Sequence, residues 1–195
     1  ETNVTNEKYP LVISLHGGTT LTDHYFAPFI VNDEQQGIDY PCVFFSPNNS
    51  NKTFNKDNAQ WIRDVINNMI EDSSYRIDVN RIYIIGFSMG GHGTTYITQD
   101  LYDDYGHMPA AIIPSGGGEY SYMSSPELRN NTSMWTHYGL AGDYSQESDY
   151  NDAKTYNSTA VETVENDSVT YTNWAGTYTH QRETLTLTRS DGIEI

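Results

Sequence analysis

Short apolar runs bounded by Gly, Pro or polar clusters recur along the chain, at residues 11–15, 42–46, 82–86, 110–114 and 134–138. Their length and β-branched content predict strands buried on both faces, where side chains need not alternate with polar ones. Between the second and third runs, Trp61, Val65, Ile66, Met69 and Ile70 recur at helical spacing within residues 57–70, with Asp57 or Asn58 placed to cap the start. Residues 90–101 predict a second helix directly after the third strand. Strands alternating with helices imply a mostly parallel sheet, because parallel neighbours need a crossover. The expected class is α/β, with helices on both faces of a central sheet. A sixth strand is predicted at 168–174, whereas 144–164 is polar and Tyr-rich with weak helical periodicity. No repeat or linker marks a boundary, so residues 1–195 read as a single domain.

The third strand runs straight into Gly86-Phe87-Ser88-Met89-Gly90, a Gly-x-Ser-x-Gly pattern followed by Gly91 and Gly93. A serine on a sharp strand-to-helix turn takes a strained backbone conformation, and glycines beside it are needed where side chains would collide with neighbouring backbone. The helix that follows points its free N–H groups and positive dipole end at the serine oxygen. Ser88 is therefore the candidate nucleophile. The first strand also ends in a glycine turn, His16-Gly17-Gly18. Acyl transfer develops negative charge on a carbonyl oxygen, and two backbone donors aimed at it lower the barrier by several kcal/mol. The candidate donors are the N–H groups of Gly18 and Met89. His16 sits in the turn itself and is expected to brace it.

A serine nucleophile needs an imidazole to take its proton and a carboxylate to fix the tautomer. His24, His92 and His107 fall too early for the order Ser, acid, His, and His137 falls inside a predicted strand. His180 follows the strand 168–174 and the turn Ala175-Gly176, where a loop can carry an imidazole over the sheet edge; the alternative is a base beyond Ile195. Asp143 follows the fifth strand after Gly139 and Gly142, at a carboxyl end of the sheet where ligands bind, with Asp149 and Asp152 in reserve. Tyr120, Tyr122, Trp135, Tyr138 and Tyr144 fall after the fourth strand and around the fifth. Of these, Tyr120, Trp135 and Tyr144 are the candidate substrate-binding residues, since flat aromatic faces suit sugar rings or a phenolic acyl group.

The segments Tyr9-Pro10-Leu11-Val12-Ile13-Ser14-Leu15-His16-Gly17-Gly18 and Asp78-Val79-Asn80-Arg81-Ile82-Tyr83-Ile84-Ile85-Gly86-Phe87-Ser88-Met89-Gly90-Gly91 resemble the α/β-hydrolase esterases of the polyhydroxybutyrate-depolymerase and feruloyl or acetylxylan esterase group. The likeness extends to Ile113-Pro114-Ser115-Gly116-Gly117. Beyond that the chain departs from the group: Trp135-Thr136-His137-Tyr138-Gly139 is an altered form of its Trp-x-x-His-Gly strand, with Asp143 shifted by one position. Trp174-Ala175-Gly176-Thr177-Tyr178-Thr179-His180 departs from its Tyr-Pro-Gly-x-x-His turn by a substitution and one extra residue. The resemblance implies an α/β-hydrolase fold, Ser88 as nucleophile, Gly18 and Met89 as oxyanion donors, Asp143 and His180 as acid and base, and no cofactor.

Charge and composition narrow the partners. Lys and Arg total 10 against 26 Asp and Glu, a net charge of -16, and such a surface repels nucleic-acid phosphates and anionic lipid headgroups. No run reaches the length of a membrane helix. The histidines are dispersed without paired ligand spacing, so no metal is expected. The lone Cys42, in an apolar run, reads as a buried structural thiol. Scarce cysteine, acidity and abundant Asn, Thr and Tyr suit a secreted bacterial protein. The chain begins at Glu1 without Met and stops at Ile195 in a strand-like stretch, which reads as a trimmed product, with a flanking carbohydrate-binding or docking module compatible. The expected function is a serine carboxylesterase removing acetyl or feruloyl groups from plant polysaccharide, its partner an acylated carbohydrate or small ester. The alternatives are a serine peptidase on the same fold and a non-catalytic binding module.

Overall fold

The computed structural model describes residues 7–18, 41–49, 54–57, 59–139, 161–173 and 176–186, the last two stretches and 137–139 as backbone. Seven strands, β1 (Tyr9–Leu15), β2 (Val43–Phe45), β3 (Ile77–Phe87), β4 (Ala111–Ser115), β5 (Ser133–Gly139), β6 (Val161–Asn173) and β7 (Gly176–Thr186), form one sheet in the order β2-β1-β3-β4-β5-β7-β6. The first five are parallel, and β7 runs antiparallel to both β5 and β6. The five apolar runs become the five parallel strands. The sixth strand begins at Val161, earlier than expected, so residues 161–164 pair as strand rather than coil into helix. β7 was not anticipated.

Register explains why the apolar runs are strands. Ile13 pairs with Ile84, Ile84 with Ile112 and Ile112 with Met134, a row of four buried side chains across four strands. Burying each such side chain contributes about 1.5–3 kcal/mol. A one-residue slip would turn the whole row to the other face. The helices α1 (Gln60–Glu71) and α2 (Met89–Tyr105) add Ile62, Ile66, Ile97 and Leu101 to the same cluster, joined by Phe54. α1 leads from β2 to β3 and α2 from β3 to β4, both in one direction across the sheet. Right-handed crossovers taken in one direction fall on one face. On the opposite face Val12, Tyr83, Ile85, Ala111 and Ile113 are half-buried.

Three details depart from expectation. The N-cap of α1 is Ala59, with no side-chain cap; Asp57 precedes the helix and Asn58 lies outside the described residues. Trp61 faces solvent, and the buried stripe of α1 is Ile62 and Ile66 with Met69 and Ile70 partly covered. Cys42 is half-buried just before β2 rather than enclosed. α2 continues past residue 101 to Tyr105 and ends at Gly106, whose left-handed φ of 72° turns its N–H back to the Tyr102 carbonyl at 2.9 Å. A short helix, α3 (Pro126–Asn131), starts with Pro126 in its first turn and Ser125 Oγ accepting from the Leu128 N–H.

Candidate active site

Ser88 stands between β3 and α2 with φ 54° and ψ -114°, outside the regions ordinary L-residues occupy. Both of its backbone polar groups are held: its N–H donates to the Ser115 carbonyl at 2.8 Å, and its carbonyl accepts from the His92 N–H at 3.2 Å. The flanking glycines make the turn possible. A Cβ on Gly86 would overlap the Gly90 carbonyl, and one on Gly90 would fall 2.8 Å from the His16 carbonyl oxygen. The side chain is half-buried at the N-terminus of α2, where unpaired N–H groups and the helix dipole favour negative charge.

The turn after β1 closes on this elbow. Leu15 pairs with Gly86, and the position a Gly17 Cβ would take is 3.7 Å from Ser88 Cβ. Gly17 is thus the neighbour of Ser88 across the strand ends. Gly18 follows Gly17 in this turn, and Met89 follows Ser88 as the first residue of α2. His16 is buried and braces the turn as expected. Its Nε2 accepts from the Asn49 N–H at 3.0 Å, so the ring proton is on Nδ1, which donates to the Gly17 carbonyl at 2.7 Å. Phe54 packs edge-on against the ring at 4.8 Å between centroids. With Nε2 already taken as an acceptor, His16 has no lone pair left for a serine proton.

The third wall is the turn after β4, Ser115-Gly116-Gly117-Gly118-Glu119. A Cβ on Gly91 would fall 2.7 Å from the Gly117 carbonyl oxygen, and one on Gly117 would fall 2.6 Å from the Ser88 carbonyl oxygen and 3.0 Å from His92 Nε2. His92 Nδ1 lies 3.5 Å from Glu119 Oε1, and the Glu119 N–H donates to Thr95 Oγ1 at 3.0 Å. The Glu119 N–H bond to Thr95, with Gly117 packed against His92, holds this glycine turn to the first turns of α2, and it sets His92 beside Glu119. Sequence reasoning passed over the pair because they are 27 residues apart and only the fold joins them.

The remaining candidates divide. Trp135 on β5 is 47% exposed. Tyr120 is corrected: it is 1% exposed in the core cluster, with its hydroxyl 2.9 Å from Thr136 Oγ1, because the short 3-10 turn Tyr120–Tyr122 folds it inward. Tyr122 is tied to Asp100 by a 2.8 Å hydrogen bond. Burial pushes the Asp100 carboxyl above its ordinary value, yet between 88 and 100 the helix rises about 18 Å, so this pair is part of the packing rather than the site. Asp143 and Tyr144 lie outside the described residues. His180 is found in a strand, not a loop. It pairs with Val169 on β6, and since Gly139 pairs with Arg182, β7 carries His180 past the carboxyl end of β5, the end at which Ser88 lies. Its backbone is three strands from β3, roughly 14 Å across at ordinary spacing, and the described backbone does not by itself join it to Ser88.

No cluster of three or more metal-ligating side chains occurs among the described residues, and no helix there is long and apolar enough to cross a membrane. A cleft of about 320 Å³ lined by Val79, His107, Met108 and Asn131 lies at the amino ends of β4 and β5, away from the carboxyl ends where ligands bind in such sheets.

A thermostable esterase of known structure superposes on this chain with a TM-score of 0.60 and 23% identity, over 80% of this chain and 45% of its own length. The chain has the α/β-hydrolase fold. A family model described as alpha/beta hydrolase of unknown function (DUF915) matches residues 31–112, which hold β2, α1, β3, the elbow and α2. A ferulic acid esterase from Anaeromyces mucronatus, solved with ferulic acid, aligns at 17% identity and a TM-score of 0.42 over 78% of this chain and 69% of its own. No curated protein matches the sequence. This α/β-hydrolase chain spans less than half the length of the thermostable esterase. In the fold, acid and base follow the elbow in chain order.

Proposed function

We propose that the protein is a serine carboxylesterase that cleaves acyl esters through an acyl-enzyme on Ser88. The observation that carries this reading is the backbone of Ser88: a non-glycine residue held at φ 54° by hydrogen bonds on both sides, at a helix N-terminus and against the glycine turn after β1. Such strain, of order 1–3 kcal/mol, persists only where the surroundings impose it and is typical of catalytic positions. In the proposed reaction Ser88 Oγ attacks the ester carbonyl carbon while its proton passes to an imidazole. The oxyanion is stabilised by the Gly18 and Met89 N–H groups. The carbon–oxygen bond to the alcohol then breaks, the alcohol leaves with the imidazole's proton, and water releases the acid by the same steps.

Asp143 and His180 are the acid and base of this proposal, on the strength of the sequence alone. The proposed substrates are acetyl or feruloyl esters on plant polysaccharide, acted on outside a bacterial cell. Exposed Trp135 and the acidic composition support that choice. The test is the hydrolysis of p-nitrophenyl acetate by the parent and by Ser88→Ala, Asp143→Ala and His180→Ala, each checked for folding. Burst kinetics in the parent and losses of about 1,000-fold or more in all three support the triad. Loss in Ser88→Ala alone reassigns the acid and base, and an inactive folded parent defeats the reading.

A further inference from the structure

We propose that the cleft at the amino ends of β4 and β5 is a second ligand site, shaped for one uncharged sugar ring and separate from the elbow. The inference goes beyond the esterase reading and stands without it. Val79, at the cleft, comes eight residues before Phe87 on β3, roughly 26 Å along an extended strand, so a single ring held here does not reach Ser88. The cleft's volume of about 320 Å³ falls in the range of small-molecule sites, about 300–1,000 Å³.

The walls decide what fits. Val79, Met108 and Pro109 supply apolar surface, Asn80, His107 and Asn131 supply polar groups, and no Asp, Glu, Lys or Arg lines the cleft. A charged ligand would lose water there with no opposite charge to meet it. Two of the polar side chains offer acceptors, because the donors beside them are already used. Asn67 Nδ2 donates to Glu71 Oε1 at 3.1 Å, so Asn67 Oδ1 is the atom that accepts from His107 Nε2 at 3.1 Å, and the ring proton is on Nε2. His107 Nδ1 therefore carries a lone pair, and burial, which holds the imidazole below its ordinary value, favours that neutral form. Tyr105, stacked on the ring at 6.4 Å between centroids, fixes its plane. Asn131 Nδ2 donates to the Glu127 carbonyl at 2.9 Å, which leaves Asn131 Oδ1 as the second acceptor. Among the described residues nothing donates to His107 Nδ1 or to Asn131 Oδ1. The backbone N–H groups of Gly106, His107 and Ala110 are spent on the carbonyls of Tyr102, Leu101 and Ile82. An uncharged cleft with two open acceptors and an apolar side matches a compact body that has several hydroxyl donors and C–H surface. A sugar ring carries both.

The test is amide-correlation NMR of the isotopically labelled protein, titrated separately with methyl β-D-glucopyranoside, sodium D-glucuronate and phenol. The glucoside is expected to shift the amides of residues 79–80, 106–108 and 131, and the glucuronate to bind more weakly. His107→Gln keeps a donor for Asn67 and removes the Nδ1 acceptor, so the Kd of the glucoside is expected to rise about 2- to 12-fold, the loss of one hydrogen bond between uncharged groups. Val79→Trp fills the cleft from an exposed position and is expected to abolish the shifts, which keeps the test decisive where His107→Gln fails to fold. Ser88→Ala is expected to bind the glucoside as the parent does, so failure of the esterase reading leaves this result standing. Absence of cleft shifts in the parent, a Kd unchanged in either folded cleft variant, glucuronate binding as tight as the glucoside, or cleft shifts from phenol alone overturns the proposal.

Discussion

Gly86 and Gly90 meet backbone to backbone across the turn that carries Ser88, close enough that a Cβ on Gly86 would overlap the Gly90 carbonyl carbon and oxygen. Backbone cannot yield as a flexible side chain does, so Gly86→Ala must displace either β3 or the start of α2. The expected loss of stability is at least about 1–3 kcal/mol, the usual range for overpacking. A denaturant midpoint unchanged by Gly86→Ala would contradict this account of the turn.

The strain at Ser88 predicts the opposite sign of effect. Glycine adopts a positive φ without steric conflict, so Ser88→Gly should stabilise the protein by about 1 kcal/mol, while Ser88→Ala, which keeps the Cβ, should not. Both remove the proposed nucleophile. Thermal unfolding of the three proteins side by side checks the ordering, with Ser88→Gly the highest.

His16 ties the turn after β1 to residue 49 through one ring. Removing it in His16→Ala leaves the buried Asn49 N–H and Gly17 carbonyl without that partner. Each group left unsatisfied costs about 1–3 kcal/mol. Because Gly17 adjoins Ser88, kcat should fall along with stability. Stabilising osmolyte that restores folding but not kcat would show that the turn itself had moved.

Much of this arrangement was legible because the parallel strands are buried deeply enough to read as continuous apolar runs, and because the turn at Ser88 admits only glycine at its flanks. What escaped was set by tertiary pairing. Trp61 fits the helical periodicity of α1 yet lies outside its buried stripe, since pattern alone cannot say which edge of an apolar face the sheet covers. Tyr120 looked like a rim aromatic, but Thr136 on β5 offers its hydroxyl a buried partner. β6 and β7 are rich in Thr and charged residues, so no continuous apolar run announces them, although β7 pairs with both β5 and β6. The nearness of His92 to Glu119 depends on β4 returning alongside α2, which no local pattern encodes.

At the opposite end of the sheet, burial pushes the His107 imidazole below its ordinary value, with Glu71 opposing the shift. His107 Nε2 lies 3.1 Å from Asn67 Oδ1, so the neutral ring donates there. Unfolding therefore takes up a proton: the contribution is full above the unfolded value near 6.5 and is lost as pH falls through the lower folded value. Stability should decline on acidification through that window, and the decline should be smaller in His107→Gln. Chemical denaturation from pH 7.5 down to about 5 in both proteins checks the difference; equal slopes would refute it.

The central claim is that Ser88 is an activated nucleophile, and intact-mass analysis after exposure to a serine-directed phosphonate tests it most directly. The account predicts one adduct on the folded parent, mapped to Ser88 by peptide sequencing and absent from folded Ser88→Ala. A folded parent that takes up no phosphonate, or an adduct that persists in Ser88→Ala, would contradict it.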